Sequence, residues 1–95
     1  MKPFDRLQLW FNSQCNGDWE HGTGIAITTL DNPGWLIKID LQGSDLEDAE
    51  FETFKELKSN MEWIHASRTE NIVRISCSPE NLDKALAIFC DWAGV

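Results

Sequence analysis

The run Trp35-Leu36-Ile37-Lys38-Ile39-Asp40-Leu41 constrains the fold of this chain more than any other. Trp35, Ile37, Ile39 and Leu41 alternate with Leu36, Lys38 and Asp40, the period of two that marks a strand with one buried face. Upstream, Ile25, Ile27 and Thr29 alternate in the same way with Ala26, Thr28 and Leu30. Asp31-Asn32-Pro33-Gly34 separates the two runs, combining a fixed φ at proline with a glycine that tolerates positive φ. The expected product is an antiparallel hairpin in which Pro33-Gly34 forms the central pair of a type I or II turn. The remaining sequence must then cover its apolar face.

Two amphipathic helices are available for that cover. Phe4, Leu7, Trp10 and Phe11 recur at helical spacing, Pro3 suits a first turn, and Asn16-Gly17 supplies a stop. At the other end Ser78 is placed to cap a helix, Pro79 to occupy its first position, Glu80 to favour the positive end of the dipole and Gly94 to end it. Leu82, Ala85, Leu86, Phe89 and Ala93 make its apolar stripe, with Trp92 on the border. Residues 62–68 and 71–77 read as two further strands joined around 69–71, a second hairpin. Residues 51–58 are ambiguous. Phe51, Phe54, Leu57 and Met61 suit a helix, the Thr and Phe content suits a strand, and a short helix is the preferred reading. The fold class is therefore α+β, an antiparallel sheet of about four strands (two hairpins) packed against N- and C-terminal helices in one domain spanning 1–95.

Sixteen acidic residues against eight basic ones give a formal net charge of −8. That balance argues against direct nucleic-acid binding, which calls for a concentrated basic face, and is permissive for a basic protein partner. The acidity is concentrated: from Asp40 to Glu56 seven carboxylates stand against Lys55 alone. A solvated face is the plainer reading of this run and an acidic docking surface the functional one. Three cysteines without a close pair and an N-terminus without an apolar core point to the reducing cytoplasm. No apolar run approaches the ~20 residues of a membrane span.

Cys15-Asn16-Gly17-Asp18-Trp19-Glu20-His21-Gly22 packs a thiol, two carboxylates, an imidazole and an indole between glycines. A thiol beside an imidazole can act as a nucleophile, and Cys, His and carboxylate can ligate zinc. His65, Cys77 and Cys90 complete no recognisable ligand spacing, so the stronger reading has Cys15 packing and Asp18, Glu20 and His21 fixing a helix-to-strand connection. Gly22-Thr23-Gly24 lacks the full pattern of a phosphate loop. No catalytic residue, metal ligand or cofactor is assigned.

Read together, QCNGDWEH, GIAITTLDNPGW, IKIDL and PENLDKALAIFCDWA resemble the immunity protein 53 family of bacterial polymorphic-toxin systems. The resemblance runs over most of the chain and implies an intracellular, non-enzymatic antidote that binds and neutralises a toxin encoded beside it. A basic nuclease is one toxin that an acidic antidote fits. The expected partner surface is the acidic segment with Asp45, Glu47, Asp48, Glu50, Phe51, Glu52 and Glu56, and a second candidate is the loop with Asp18, Trp19, Glu20 and His21. In it carboxylates would steer association, and an exposed aromatic, Trp19 or Phe51, would supply buried contact area. The alternative from another class is a small metal-binding protein or thiol enzyme using Cys15 and His21.

Overall fold

A computed structural model of the chain describes residues 1–22 and 24–95; Thr23, central in the glycine-flanked triplet, lies outside the described residues. Helix α1 (Pro3–Gln14) leads through a 3-10 turn (Trp19–His21) into β1 (Ile25–Leu30) and β2 (Gly34–Asp40). Then come β3 (Phe54–Ser59), β4 (Glu62–Thr69), β5 (Ile72–Cys77) and α2 (Leu82–Ala93). The strands form one antiparallel sheet in the order β1-β2-β5-β4-β3.

The alternation in β2 does what its period demands. Ile37 and Ile39 are fully buried and lie in register with Ile75 and Val73 of β5, and Leu41, just past the strand, is buried with them. Ile64 and Ala66 of β4 continue the same face. Both helices pack there, Leu7 and Trp10 from α1 meeting Ala85, Leu86, Phe89 and Cys90 from α2 in one cluster. Trp10 stands edge-on to Phe89 at 5.1 Å and to Trp19 at 5.5 Å, geometry that adds attraction beyond area burial. The α+β class, the antiparallel sheet and the two terminal helices are as the sequence predicts, with one strand more than expected.

That extra strand corrects the short helix preferred for residues 51–58. Residues 51–53 are irregular, and β3 follows as an edge strand on β4. An edge strand lying mostly in solvent needs no alternation of apolar residues. Phe54, Leu57 and Met61 fall at helical spacing by coincidence, and the last two are 78% and 83% exposed.

Three further expectations shift. Gly34 is not a turn residue: it pairs with Leu30, so the hairpin loop is Asp31-Asn32-Pro33 with a cis Asn32–Pro33 peptide. Glycine is required there by close approach, because a Cβ at this position would overlap the Cys77 carbonyl oxygen. Phe4 leaves the stripe of α1 and is 42% exposed, whereas Gln14 turns inward. Helix α2 begins after Asn81, later than Ser78-Pro79 implied. The buried Ser78 hydroxyl is committed elsewhere, accepting from the Trp63 backbone N–H and from Asn81 Nδ2. Gly94 ends α2 as expected, with φ of 77°.

Candidate functional site

Strands β2 and β3 are not neighbours, so the chain between them must cross one end of the sheet past β5 and β4. Residues 41–53 make that crossing, and they carry the acidic run. With little regular structure of their own, they are held by turns and by side chains sent from the elements beneath. Ser44 Oγ donates to the Leu41 carbonyl at 2.7 Å and accepts from Leu46 N, and the Glu47 carboxylate accepts from Gly43 N at 2.9 Å. From α1, Gln14 Oε1 accepts from Asp45 N at 2.9 Å while the Trp10 indole donates to the Asp45 carboxylate at 3.2 Å. From α2, the Trp92 indole donates to the Glu50 carbonyl at 2.8 Å, and Phe51 stands edge-on to the same ring at 5.0 Å.

The central support is Arg68. It lies near the end of β4 on the parity of Ile64 and Ala66, the face that turns inward, but where the sheet ends it meets the crossing segment instead of the core. Its guanidinium donates to the carbonyls of Leu46, Glu47 and Ala49, to the Glu70 carbonyl at 2.8 Å and to Asn71 Oδ1 at 3.3 Å. A planar five-donor fork can gather several carbonyls that a lysine cannot. Using Arg68 on the backbone leaves the nearby carboxylates without this cation.

The result is an open groove of about 850 Å³. Glu47, Asp48, Glu50, Glu52 and Glu70 line it around Phe51, Trp92 and the Arg68 stem. No lysine, arginine or histidine lies within ion-pair distance of Asp48, Glu50, Glu52 or Glu70 among the described residues. Asp45 is spent on Trp10. Glu56 is not part of this surface: on β3 its carboxylate meets Lys84 of α2 at 2.6 Å, and that hydrogen bond holds its pKa below the ordinary value against the opposing effect of burial.

Asp18 and Trp19 of the second candidate loop border a separate, smaller recess of about 410 Å³, lined also by Asp40 and Gly43 among others, whereas Glu20 and His21 do not line it. Trp19 is not an exposed anchor. It is buried, packs on Trp10 and Phe11 and donates its indole N–H to the Asp40 carbonyl at 3.0 Å. Asn16 Oδ1 accepts from the amides of Asp18 and Trp19, organising the turn. The Glu20 carboxylate accepts from its own amide and from those of Asn16 and Gly17 at 2.9 and 2.8 Å, which keeps its pKa below the ordinary value. Asp18 and His21 remain exposed.

Cys15 donates to the Phe11 carbonyl at 3.2 Å and makes no hydrogen bond to His21. Burial pushes the Cys77 and Cys90 thiols up in pKa. No three Cys, His, Asp or Glu side chains gather in a metal-holding group among the described residues.

Arg68, Glu70 and Trp92 complete the groove, and none of them is among the residues the sequence assigns to a partner surface; Trp92 stands there only on the border of the α2 stripe. An arginine on the inward parity of a strand is the signal that would have revealed the others, because such a side chain needs acceptors and a covering loop supplies them.

Fold and groove together define a small α+β protein whose distinctive chemistry is a surface, carboxylates set around an aromatic pair. The immunity protein 53 family model matches residues 4–94, nearly the whole chain, and the chain belongs to that family. Membership implies immunity toward a toxin, with a toxin protein as the partner. Comparison with curated proteins and with solved structures finds no match.

Proposed function

We propose that this protein neutralises one cognate toxin by binding it one-to-one through the acidic groove, covering the toxin's active site or substrate path without performing chemistry itself. The cytoplasm, where such a toxin would act on its producer, is the proposed place of action, and the chain is proposed to work as a single domain. The observation that carries the reading is the set of carboxylates Asp48, Glu50, Glu52 and Glu70, without an ion pair among the described residues and grouped around Phe51 and Trp92. Charges of one sign steer a basic partner and reject acidic ones, while a central aromatic pair supplies the contact area in which binding energy concentrates. A basic nuclease surface, shaped to hold phosphates, is the partner such a groove fits best.

Calorimetric titration of the purified protein with the toxin domain encoded beside it tests the proposal. One-to-one binding at nanomolar Kd or tighter, weakened at least tenfold by Trp92→Ala, is expected. Absence of binding, or binding indifferent to Trp92 in a variant that remains folded, overturns it.

A further inference from the structure

The helices and the crossing segment occupy one face of the sheet, and among the described residues no element covers the other. Register places Leu36 and Lys38 of β2, Arg74 and Ser76 of β5, His65 of β4 and Lys55 of β3 on this open face. Its charge is opposite to that of the molecule. Lys38 stands directly across from Arg74, and Lys55 across from His65. The like charges of Lys38 and Arg74, directly opposite on neighbouring strands, are destabilising. Arg6, Lys58 and Lys84 each have a carboxylate partner, whereas Lys38, Lys55 and Arg74 have none within 4.0 Å among the described residues. Asp40, the one carboxylate that register places on this face among the described residues, accepts from Gln42 N at 3.0 Å.

A second observation comes from one corner of the same face. Lys55, Leu57, Trp63 and His65 border an apolar notch of about 140 Å³. Leu57 is 78% exposed. Four tryptophans donate their indole N–H to a protein acceptor, and Trp63 is the one that does not among the described residues. An aromatic donor, an apolar recess and cations without ion-pair partners among the described residues thus lie side by side on the open face.

We propose that the open face of the sheet is a second docking surface, on the side opposite the acidic groove, which takes a short acidic segment of a protein partner. The cation row Lys38–Arg74, with Lys55, receives its carboxylates, and the notch at Leu57 and Trp63 receives one apolar side chain. Self-association through this face would set the like-charged row against a copy of itself. Nucleic acid fits poorly: a duplex contact rests on about six to ten neutralised phosphates and a single strand on successive stacking rings, whereas this face offers three free cations and one tryptophan. The proposal stands whether or not the acidic groove takes the toxin.

Amide and indole NMR shifts of the 15N-labelled protein, titrated with a short peptide of Asp and Glu flanking one Leu, test it. Saturable shifts are expected at Lys38, Lys55, Arg74 and the Trp63 indole, with the groove around Glu50 and Glu52 unmoved. Arg74→Glu should weaken the peptide at least tenfold while raising Tm, because it turns a repulsive cross-strand pair with Lys38 into an attractive one. Lys38→Glu should do the same. A surface serving only solubility would give the stability gain with no peptide site to lose. Absence of saturable shifts on this face overturns the proposal. So does an oligothymidylate of matched charge binding it as tightly as the peptide, concentration-dependent shifts there without peptide, or binding unchanged in both variants.

Discussion

Replacing Arg68 by methionine keeps an unbranched apolar stem and removes the fork that gathers the crossing segment. The carbonyls of Leu46, Glu47, Ala49 and Glu70 then lose a charged donor together. Hydrogen bonds to a charged group contribute about 1.5–3 kcal/mol each, but these carbonyls are half-exposed and water recovers much of the loss, so the net cost should be about 2–4 kcal/mol. For a chain of this size that lowers Tm by roughly 10–20 °C. Arg68→Lys keeps the charge but offers three donors from one point, and should lose about half as much. Thermal unfolding gives the magnitudes, and hydrogen exchange at the amides of Glu47 and Ala49, bonded to Ser44 and Leu46, locates the effect. Arg68→Lys as stable as the parent would show that a point charge suffices and refute the forked geometry as the cause. Unchanged exchange at those two amides in Arg68→Met would show that the segment is held without Arg68.

Other outcomes follow from single contacts. Gly34→Ala should cost about 1–3 kcal/mol, read from urea unfolding, because its Cβ has to displace the Cys77 backbone. The pKa of Glu20 is lowered in the fold from an ordinary value of 4.5, so its contribution is present above that value and lost as pH falls through the folded pKa. An acid titration of stability should therefore fall below about pH 4.5, and Glu20→Gln should make that fall shallower. Under native conditions a thiol reagent should label Cys15 alone, with Cys77 and Cys90 reacting only after denaturation, as mass spectrometry would count.

How much of this was legible in the sequence depends on whether burial left a period behind. Strand β2 is packed on one face along its whole length, so its alternation identified it and, with β1, the hairpin. Strand β3 lies at the edge with little burial, and its exposed Phe54 and Leu57 imitated a helix because nothing required them to alternate. The start of α2 was misplaced because Ser78 has the residue type of a cap but spends its hydroxyl joining β4 to the helix. In the groove, the carboxylates were visible as a run. What gathers them was not, since Arg68 and Trp92 arrive from β4 and α2 through contacts 19 to 42 residues apart in sequence. Trp19 had the composition of a surface anchor and the partners of a core residue. Its indole acceptor lies 21 residues away, at the end of β2.

Whether the acidic groove receives the toxin is decided by stopped-flow association with the cognate toxin domain across a range of salt concentrations. Asp48→Lys with Glu52→Lys is the informative variant, because among the described residues neither carboxylate makes a hydrogen bond, whereas Glu47 accepts from Gly43 N. The parent should associate fast at low salt and slow steeply as salt rises, and the double variant should associate about tenfold or more slowly with a flattened salt dependence. A folded double variant with the parent's association rate and salt dependence would contradict it.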